Sequence, residues 1–466
     1  TLPTSSLGNC AIILTFDVNS LSEHQKSAWE LSDISTISVA IDNVNMTTYR
    51  NHFMCPTTHA YKNYDTEPSH FTVGVAMANT AVNMLRNCFQ LEDGAQEDGT
   101  FLCTFYEQLL ERFNTIAEYC FICGLKLIRA GMMPTICDRQ LCTFQYHQLN
   151  MFEGTSIAPR VSSDVFSMLL FAFFNATKSS RPEMAMQPAP SFSSQALFLN
   201  EIDRFTLPVD KVAHFRQYRS IETAWPVLEY NMPCPSKLMH SADDYAQYRE
   251  NFPEISKFAE WLIICNNAYI ERIPEGKRID FLGTEHQYIF VNDSKEKQAE
   301  FDALVAANQG KTKFFFHGSP PGNWHSIIRR GLKNMSGTNY STLYRQRQST
   351  SDNTGDSTFR EACLHDKCCL ASPSEQNRTG WTFVALVEVV DVAEAYTSRA
   401  DWCSVVKEEK WATIRMMLLY DNVAYGDDQW QGRMNDPAVR ECRLRNLTDE
   451  KRAQLDQVTT MFRKAI

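Results

Sequence analysis

The chain has 466 residues, of which 44% are hydrophobic and 21% are charged, and its formal net charge is −10. This length exceeds what one ordinary hydrophobic core supports, so it predicts a globular protein of several domains. An acidic chain is repelled by phosphate backbones, so direct DNA binding is not expected. The most apolar stretch, residues 165–174, is about half as long as the roughly 20 residues of a membrane span and predicts a buried helix.

The 15 cysteines bear on the cellular compartment. Their odd number, with no signal peptide at the start, predicts a reducing environment and an intracellular protein, cytoplasmic or nuclear. The chain begins Thr1-Leu2-Pro3 without Met, as expected of a fragment or a processed chain.

Residues 1–100 predict a small α+β segment. Two strand-like runs, 12–16 and 37–41, flank a short helix between Ser20 and Trp29. This segment contains no recognisable catalytic constellation.

Residues 101–177 predict a helical, cysteine-rich region. Apolar residues repeat at helical spacing within residues 104–130. Four cysteines follow the pattern C-x2-C, thirteen residues, C-x4-C: Cys120, Cys123, Cys137 and Cys142. Four thiolates at such spacing can close a tetrahedral zinc site, structural rather than catalytic, although C-x4-C is looser than the usual knuckle. The alternative is four buried thiols without a metal, since free cysteine is often a core residue.

A linker is predicted at residues 178–195, which are rich in Pro, Ser and Ala. Residues 196–310 then predict a helical region with a helix after Pro253 and a strand-like stretch at 278–291.

The last helix of this region is predicted between residues 293 and 310. Asp293 and Glu296 form a potential capping box at its start, and Gly310 is placed to end it.

Residues 311–466 open with the most informative segment of the chain. A strand of aromatic residues ends in His317-Gly318-Ser319, and a helix that carries Trp324 on its apolar side follows. Gly318 has no side chain, so a flat ligand can lie against its backbone, whose N–H and C=O can clamp a carboxamide. The Ser319 hydroxyl can add a third hydrogen bond, and His317 can reach a ribose hydroxyl. The nicotinamide half of NAD requires such a set of groups.

The longer string around this turn resembles the first NAD-binding motif of the poly(ADP-ribose) polymerase family. His-Gly-Ser, then Asn323-Trp324-His325-Ser326-Ile327, then Gly331-Leu332 are similar to the mono-ADP-ribosylating branch that contains vertebrate members six, eight and sixteen. Downstream, residues 384–391 and 414–421 are similar to the next and the last core strands of that family. The likeness covers residues from about 250 to 425 well.

Other parts of the chain share in the resemblance more weakly. The cysteine cluster is similar to a cysteine-rich region of the same branch. The N-terminal strands are similar to the ubiquitin-conjugating-like or RWD-like segment of such proteins. The resemblance implies an α+β chain with a C-terminal ADP-ribosyltransferase split β-sheet domain at 311–466, preceded by the segments described above.

The resemblance also implies a reaction and its residues. The protein would use NAD as substrate, release nicotinamide and transfer ADP-ribose to protein side chains. His317, Gly318 and Ser319 would bind NAD, and an aromatic residue, Phe359 or Tyr340, would stack on the nicotinamide ring.

Two departures from the family pattern limit these expectations. The second motif, Tyr-Gly-x-Gly-Ile-Tyr-x-Ser, is degenerate near residues 351–359, and no Glu stands near residues 401–403, where polymerising members carry one. The resemblance therefore implies transfer of one ADP-ribose unit at most. Two alternatives stay open: a catalytically impaired NAD- or ADP-ribose-binding pseudoenzyme, and a zinc-stapled scaffold of the ubiquitin system.

Overall fold

The structure is a computed structural model, and it divides into two compact units. The first comprises mainly residues 1–166 and 188–267, and the second mainly residues 167–187 and 268–464. The residues that the structure describes are 10–29, 31–44, 57–62, 72–90, 100–127, 130–137, 139–148, 162–178, 197–199, 201, 247, 249–319, 321–332, 362–365, 381–400, 403–406, 408–421 and 448–465.

The first unit contains a three-stranded antiparallel sheet of order β1-β2-β3 together with helices. The two strands predicted at 12–16 and 37–41 are confirmed as β1 and β2. Helix α1 begins with a capping box between Ser22 and Gln25. The elements are β1 (Cys10–Asp17), α1 (Glu23–Ala28), β2 (Thr36–Val44), β3 (Thr57–Lys62), α2 (Thr72–Gln90), α3 (Thr100–Asn114), α4 (Gln140–Gln148), α5 (Ser163–Thr177), which continues into the second unit, and α6 (Pro253–Ile264).

Helix α3 is shorter than the helix predicted at 104–130. Its apolar stripe is buried as expected, with Phe105, Leu109 and Phe113 at most 1% exposed. The helix ends at Asn114, and after a short 3-10 turn the chain forms a hairpin instead. The prediction was wrong beyond residue 114 because the hairpin, and not helical periodicity, determines the backbone around the first two cysteines.

Helix α5 confirms the buried helix predicted at 165–174, since Val165, Leu169 and Phe173 are at most 1% exposed. Within the part of the chain that is described, no helix combines the length and apolarity that crossing a bilayer requires.

Helix α6 begins at Pro253, as predicted, and a distant carboxylate caps its first turn. Glu201 is buried and accepts hydrogen bonds from the backbone N–H groups of Glu254, at 2.8 Å, and Ile255, at 2.9 Å. The residue before the helix, Phe252, has no side chain able to satisfy these donors. The cap therefore joins two parts of the chain about 50 residues apart.

The second unit is built on an eight-stranded antiparallel sheet of order β4-β5-β11-β8-β6-β7-β10-β9. This split antiparallel sheet with flanking helices confirms the predicted α+β class. Two strands, β4 and β5, precede residue 311, the predicted start of the C-terminal domain. The elements are β4 (Tyr269–Arg272), β5 (His286–Val291), α7 (Lys295–Ala307), β6 (Thr312–Gly318), α8 (Pro321–Arg330), β7 (Ala362–His365), β8 (Trp381–Val390), β9 (Tyr396–Ala400), β10 (Cys403–Val406), β11 (Ala412–Asp421) and α9 (Asp449–Ala465).

Different helices contact the two faces of this sheet. Because His317 pairs with Ala385, these residues and Phe383 share one face, where Phe383 stacks on Trp324 of α8 and on Phe171 of α5. The opposite face carries Glu388, Val390 and Phe314. Helix α7 packs there through Phe301 and Val305, and α9 places the Arg452 guanidinium over the Phe314 ring.

A buried ion pair joins the two longest strands on the α7 side. Arg415 lies where the β8–β11 register shifts, and its Nε donates to Glu388 at 2.7 Å. Arg415 is 0% exposed and Glu388 is 2% exposed, and Arg415 also donates to Gln298 of α7 at 3.1 Å. The pair therefore links α7 to the centre of the sheet.

The ends of the elements that flank β5 differ from the prediction. Only residues 286–291 of the stretch 278–291 are a strand, because a 3-10 turn at Asp280–Leu282 and Gly283, with φ 69°, reverse the chain first. Helix α7 is capped by Ser294, one residue after the predicted Asp293. Gly310 closes the helix as predicted, with φ 76° and a hydrogen bond from its N–H to Val305.

Candidate functional site

The predicted His-Gly-Ser turn lies where β6 leaves the centre of the sheet. The pairing of β6 with β8 runs from Thr312↔Val390 to Gly318↔Val384. On its other side, β6 pairs with β7, and within the described residues Phe316 lies opposite His365. Phe316 is buried, whereas His317 and Gly318 are half-buried. The strand thus holds the turn from within the core while its last two residues reach the surface.

The first turn of α8 holds Ser319 by two hydrogen bonds. Asn323 Nδ2 donates to Ser319 Oγ at 2.9 Å, and Trp324 Nε1 donates to the Ser319 carbonyl at 3.0 Å. Helix α8 starts at Pro321, a residue whose fixed φ suits the first position of a helix. Ser319 itself is 9% exposed. Because Ser319 Oγ accepts from Asn323, its own hydroxyl proton is available to a ligand.

The Trp324 ring packs against the turn from the protein core. It is 0% exposed, stacks on Phe383 with ring centroids 5.4 Å apart, and meets the His317 ring edge-on at 6.3 Å. Helix α8 ends at Arg330 and is followed by Gly331, whose φ of 71° is the left-handed conformation expected just after a helix C-terminus. The spacing of the motif therefore reflects one compact strand–turn–helix unit.

These groups form a set that can hold a planar amide next to a sugar. The turn offers bare glycine backbone at Gly318, a hydroxyl proton on Ser319 and an imidazole on His317. All three lie on consecutive residues, so their relative positions are set by one short piece of backbone. The roles assigned to them from the sequence remain predictions.

The two aromatic residues predicted to stack on the nicotinamide ring, Phe359 and Tyr340, lie outside the described residues. Cys403, close to the place of the missing family Glu, begins β10 directly opposite His365 of β7. Strand order accordingly brings β10 within two strands of β6.

The four predicted metal ligands are brought together. The sulfur atoms of Cys120, Cys123, Cys137 and Cys142 all lie within 4.8 Å of one another, and Cys123 and Cys137 are 3.9 Å apart. Zinc bound at about 2.3 Å by four thiolates would place the sulfur atoms roughly 3.8 Å apart. The separations in the cluster are therefore close to those of a tetrahedral site.

Local backbone structure explains how the first two cysteines converge. The Cys120 N–H donates to the Leu125 carbonyl at 2.9 Å, and the Gly124 N–H donates to the Cys120 carbonyl at 2.8 Å. Gly124 has φ 69°, which favours glycine at this position. The other half differs: Cys137 lies in an extended segment, and Cys142 is in the first turn of α4. The wider C-x4-C spacing thus spans the entry to a helix.

The surroundings of two of the four thiols disfavour their ionised form. A hydrogen bond with Cys137 and burial together raise the pKa of Cys120 far above its usual range. Burial and the neighbouring Cys120 raise the pKa of Cys142 to about 12. Four close thiols cannot all ionise unless a positive charge compensates them, and a metal ion supplies that charge.

Sequence reasoning missed the hydrogen bonds of Asn323 and Trp324 to Ser319. The motif itself contained both residues, but they were interpreted only as family likeness and as an apolar helix face. A tryptophan near a tight turn needs an acceptor for its indole N–H when it is buried, and that requirement was the available signal.

Comparison with known proteins agrees with the architecture. No family model matches the chain. Protein mono-ADP-ribosyltransferase PARP8 of Mus musculus is 28% identical over 252 residues, and the protein of the same name from Homo sapiens gives the same identity. The match covers 52% of this chain but 27% of either relative, so the chain spans about a quarter of their length. In sequence and in its split antiparallel sheet, the chain resembles the mono-ADP-ribosyltransferases of the poly(ADP-ribose) polymerase family.

Proposed function

We propose that this protein is a NAD-dependent mono-ADP-ribosyltransferase that modifies protein side chains. The observation that carries the proposal is the half-exposed turn at His317-Gly318-Ser319, which ends a central strand of the sheet. The sequence similarity to PARP8 proteins, which are named as mono-ADP-ribosyltransferases, supports it.

The reaction breaks the bond between the nicotinamide nitrogen and C1′ of the ribose. Nicotinamide leaves as a neutral molecule, because the bonding electrons return to its pyridinium ring. A nucleophilic side chain of the acceptor protein bonds to C1′ and gives up its proton. The transition state resembles an oxocarbenium ion, so catalysis depends on orientation and on stabilising the developing charge.

Each residue of the turn has a proposed role. The Gly318 N–H and C=O clamp the carboxamide of nicotinamide, and the free hydroxyl proton of Ser319 adds a third hydrogen bond. His317 binds a ribose hydroxyl. Holding the leaving group by three bonds orients the glycosidic bond and leaves C1′ open to attack. Phe359 or Tyr340 would complete the site by stacking on the ring.

Transfer stops at one unit in this proposal. Polymerising relatives carry a Glu at the position that corresponds to residues 401–403, and this chain has none there. Without that carboxylate, a bound ADP-ribose has no base to activate its ribose hydroxyl for a second addition.

A labelling experiment with purified protein tests the proposal. The wild type is incubated with radiolabelled NAD, and three quantities are measured: label on protein, nicotinamide released and NAD affinity. His317→Ala removes the ribose contact. His286→Ala is the matched control, because His286 is also a half-buried histidine at a strand end of this unit but lies in β5, away from β6.

The outcomes separate the candidate functions. Label transfer by the wild type and by His286→Ala, with at least a tenfold loss in His317→Ala, supports the transferase. NAD affinity that depends on His317 without label transfer would support a binding module instead. No affinity for NAD in any variant would refute both and leave the scaffold alternative.

We also propose that Cys120, Cys123, Cys137 and Cys142 bind one structural zinc ion. Their sulfur separations suit tetrahedral thiolate coordination, and four protein ligands leave no open position for catalysis. The loop between the two pairs packs on the end of α6, where the Met133 N–H donates to the Asn267 carbonyl at 3.2 Å. A metal ion would hold this loop in place.

Metal content and stability test the zinc site. The wild type should contain one zinc ion per chain, and replacing zinc by cobalt should produce thiolate-to-cobalt absorption bands. Cys123→Ser should lower both metal content and melting temperature. Cys103→Ser, which changes an exposed cysteine of α3 outside the cluster, should change neither. Equal behaviour of the two variants would refute the site.

A further inference from the structure

Trp324 contacts both neighbours of Gly318. Its indole N–H donates to the Ser319 carbonyl at 3.0 Å, and its ring meets the His317 ring at 6.3 Å. The stack on Phe383, 5.4 Å between centroids and 23° between planes, fixes the indole against the sheet. Because Trp324 is 0% exposed, it cannot change rotamer without disturbing the core.

Asn323 completes this support from the same helical turn. Its Nδ2 donates to Ser319 Oγ at 2.9 Å, so α8 holds both the carbonyl and the hydroxyl of Ser319. The direction of the hydrogen bond matters, because an amide donor leaves the Ser319 proton free for a ligand. An acceptor in the same place would take that proton.

Glycine makes such support necessary. Gly318 is the last residue of β6 that pairs with β8, so the sheet no longer holds the chain that leaves it. Because glycine has no Cβ to restrict the backbone at this point, the conformation of the turn depends on the contacts of the residues that flank it. Binding a planar amide through the glycine backbone needs one conformation of the turn, and each alternative lowers the apparent affinity. Rigid contacts on both flanks select a single geometry before the ligand arrives.

We propose that Trp324 and Asn323 are positioning residues that hold the His317-Gly318-Ser319 turn in its NAD-binding conformation. They act through Ser319 and His317 and not by contact with the dinucleotide. This inference rests on the proposed NAD-binding function. It assigns to Trp324 and Asn323 the role of setting the affinity of the turn for NAD.

Conservative variants test the hydrogen bond apart from the packing. Trp324→Phe keeps an aromatic ring against Phe383 and removes the indole N–H. Trp411→Phe is the matched control: Trp411 Nε1 is also buried, but no hydrogen-bond acceptor for it is found among the described residues. The NAD dissociation constant, the KM for NAD, kcat and the melting temperature are measured for both variants and the wild type.

Trp324→Phe should weaken NAD binding about fivefold to tenfold, as the loss of one hydrogen bond predicts, and raise the KM by a similar factor. Trp411→Phe should change both by less than about twofold. A purely structural role would instead lower the folded fraction, and thus kcat, while leaving the KM unchanged. That result, or an equal KM in the two variants, would overturn the inference.

Asn323→Asp provides a second variant, at a half-buried position. The aspartate has the shape of asparagine but accepts instead of donating, so the Ser319 proton turns towards it and away from the ligand. We expect a rise in the KM for NAD of at least fivefold, with a melting temperature close to that of the wild type. An unchanged KM would overturn the inference even if Trp324→Phe failed to fold.

The two levels of failure can be distinguished. If the wild type binds NAD and both Trp324→Phe and Asn323→Asp bind it equally well, only the positioning role fails. If the wild type itself has no affinity for NAD, the proposed function fails, and the positioning role is refuted with it.

Discussion

Gly131 lies against the chain that follows α6, and replacing it by alanine should destabilise the first unit. A Cβ at this residue would stand 2.1 Å from the Asn267 carbonyl oxygen and 2.8 Å from its carbon. The first distance is about 1.3 Å shorter than the 3.4 Å at which ordinary van der Waals contact begins. Both atoms are backbone, so no flexible side chain can move aside, and the two segments must separate.

The separation has a calculable cost. Overpacking of a tight contact destabilises a protein by about 1–3 kcal/mol. The hydrogen bond from the Met133 N–H to the Asn267 carbonyl is lost or weakened as well, at about 1 kcal/mol. The lower backbone entropy of alanine in the unfolded chain returns about 0.4–1 kcal/mol. We expect Gly131→Ala to lower the free energy of unfolding by about 2 kcal/mol and the melting temperature by about 4–8 °C.

Thermal and denaturant unfolding of the whole chain measure this effect, with Gly276→Ala as the matched control. A Cβ at Gly276 meets no atom within 4 Å, so that substitution should be neutral or slightly stabilising. If Gly131→Ala is as stable as Gly276→Ala, the loop of residues 130–137 does not pack on the end of α6 as described, and the reasoning fails.

Three further substitutions and one control, measured by denaturant unfolding, test contacts within each of the two units. Arg415→Met leaves the buried Glu388 carboxylate without its cation and should cost about 3–5 kcal/mol. The control Lys313→Met breaks a partly exposed ion pair and should cost less than about 1 kcal/mol. Similar costs for the two variants would contradict a buried pair. Glu201→Ala removes the cap of α6 and should cost about 1–2 kcal/mol, so an unchanged midpoint would refute capping. Gln287→Leu removes the acceptor of the buried Ile279 N–H, while the Ile279 carbonyl keeps the Leu282 N–H as donor, and it should cost about 1–3 kcal/mol; a neutral result would show that the Ile279 N–H finds another acceptor.

The elements of the C-terminal unit were predictable from the sequence where their patterns are local. The aromatic strand before His317 and the helix closed by Gly331 formed as predicted from such patterns. The strands at 384–391 and 414–421, which the family resemblance implied, are observed as β8 and β11. Residues a few positions apart set the periodicity of a strand or helix, and glycine marks its end through its own backbone freedom.

The sequence also indicated the cysteine cluster by spacing alone, since a C-x2-C pair can converge within one hairpin. It did not indicate the hairpin itself. The apolar residues around Cys120 continue the helical period of α3, and only the paired backbone from Tyr119 to Lys126 breaks it. In this segment the apolar periodicity favours a helix whereas the backbone hydrogen bonds form a hairpin, and the tertiary structure shows the hairpin.

By itself, the sequence determined the strand–turn–helix unit around Gly318 and the grouping of the cysteines. The tertiary structure alone decided that β4 and β5 join the sheet, that Arg415 meets Glu388 where the strand register shifts, and that Trp324 holds Ser319. The physical reason is that the interacting residues are far apart in the sequence. Strand pairing and side-chain orientation depend on residues far away in sequence, and no short pattern contains that information.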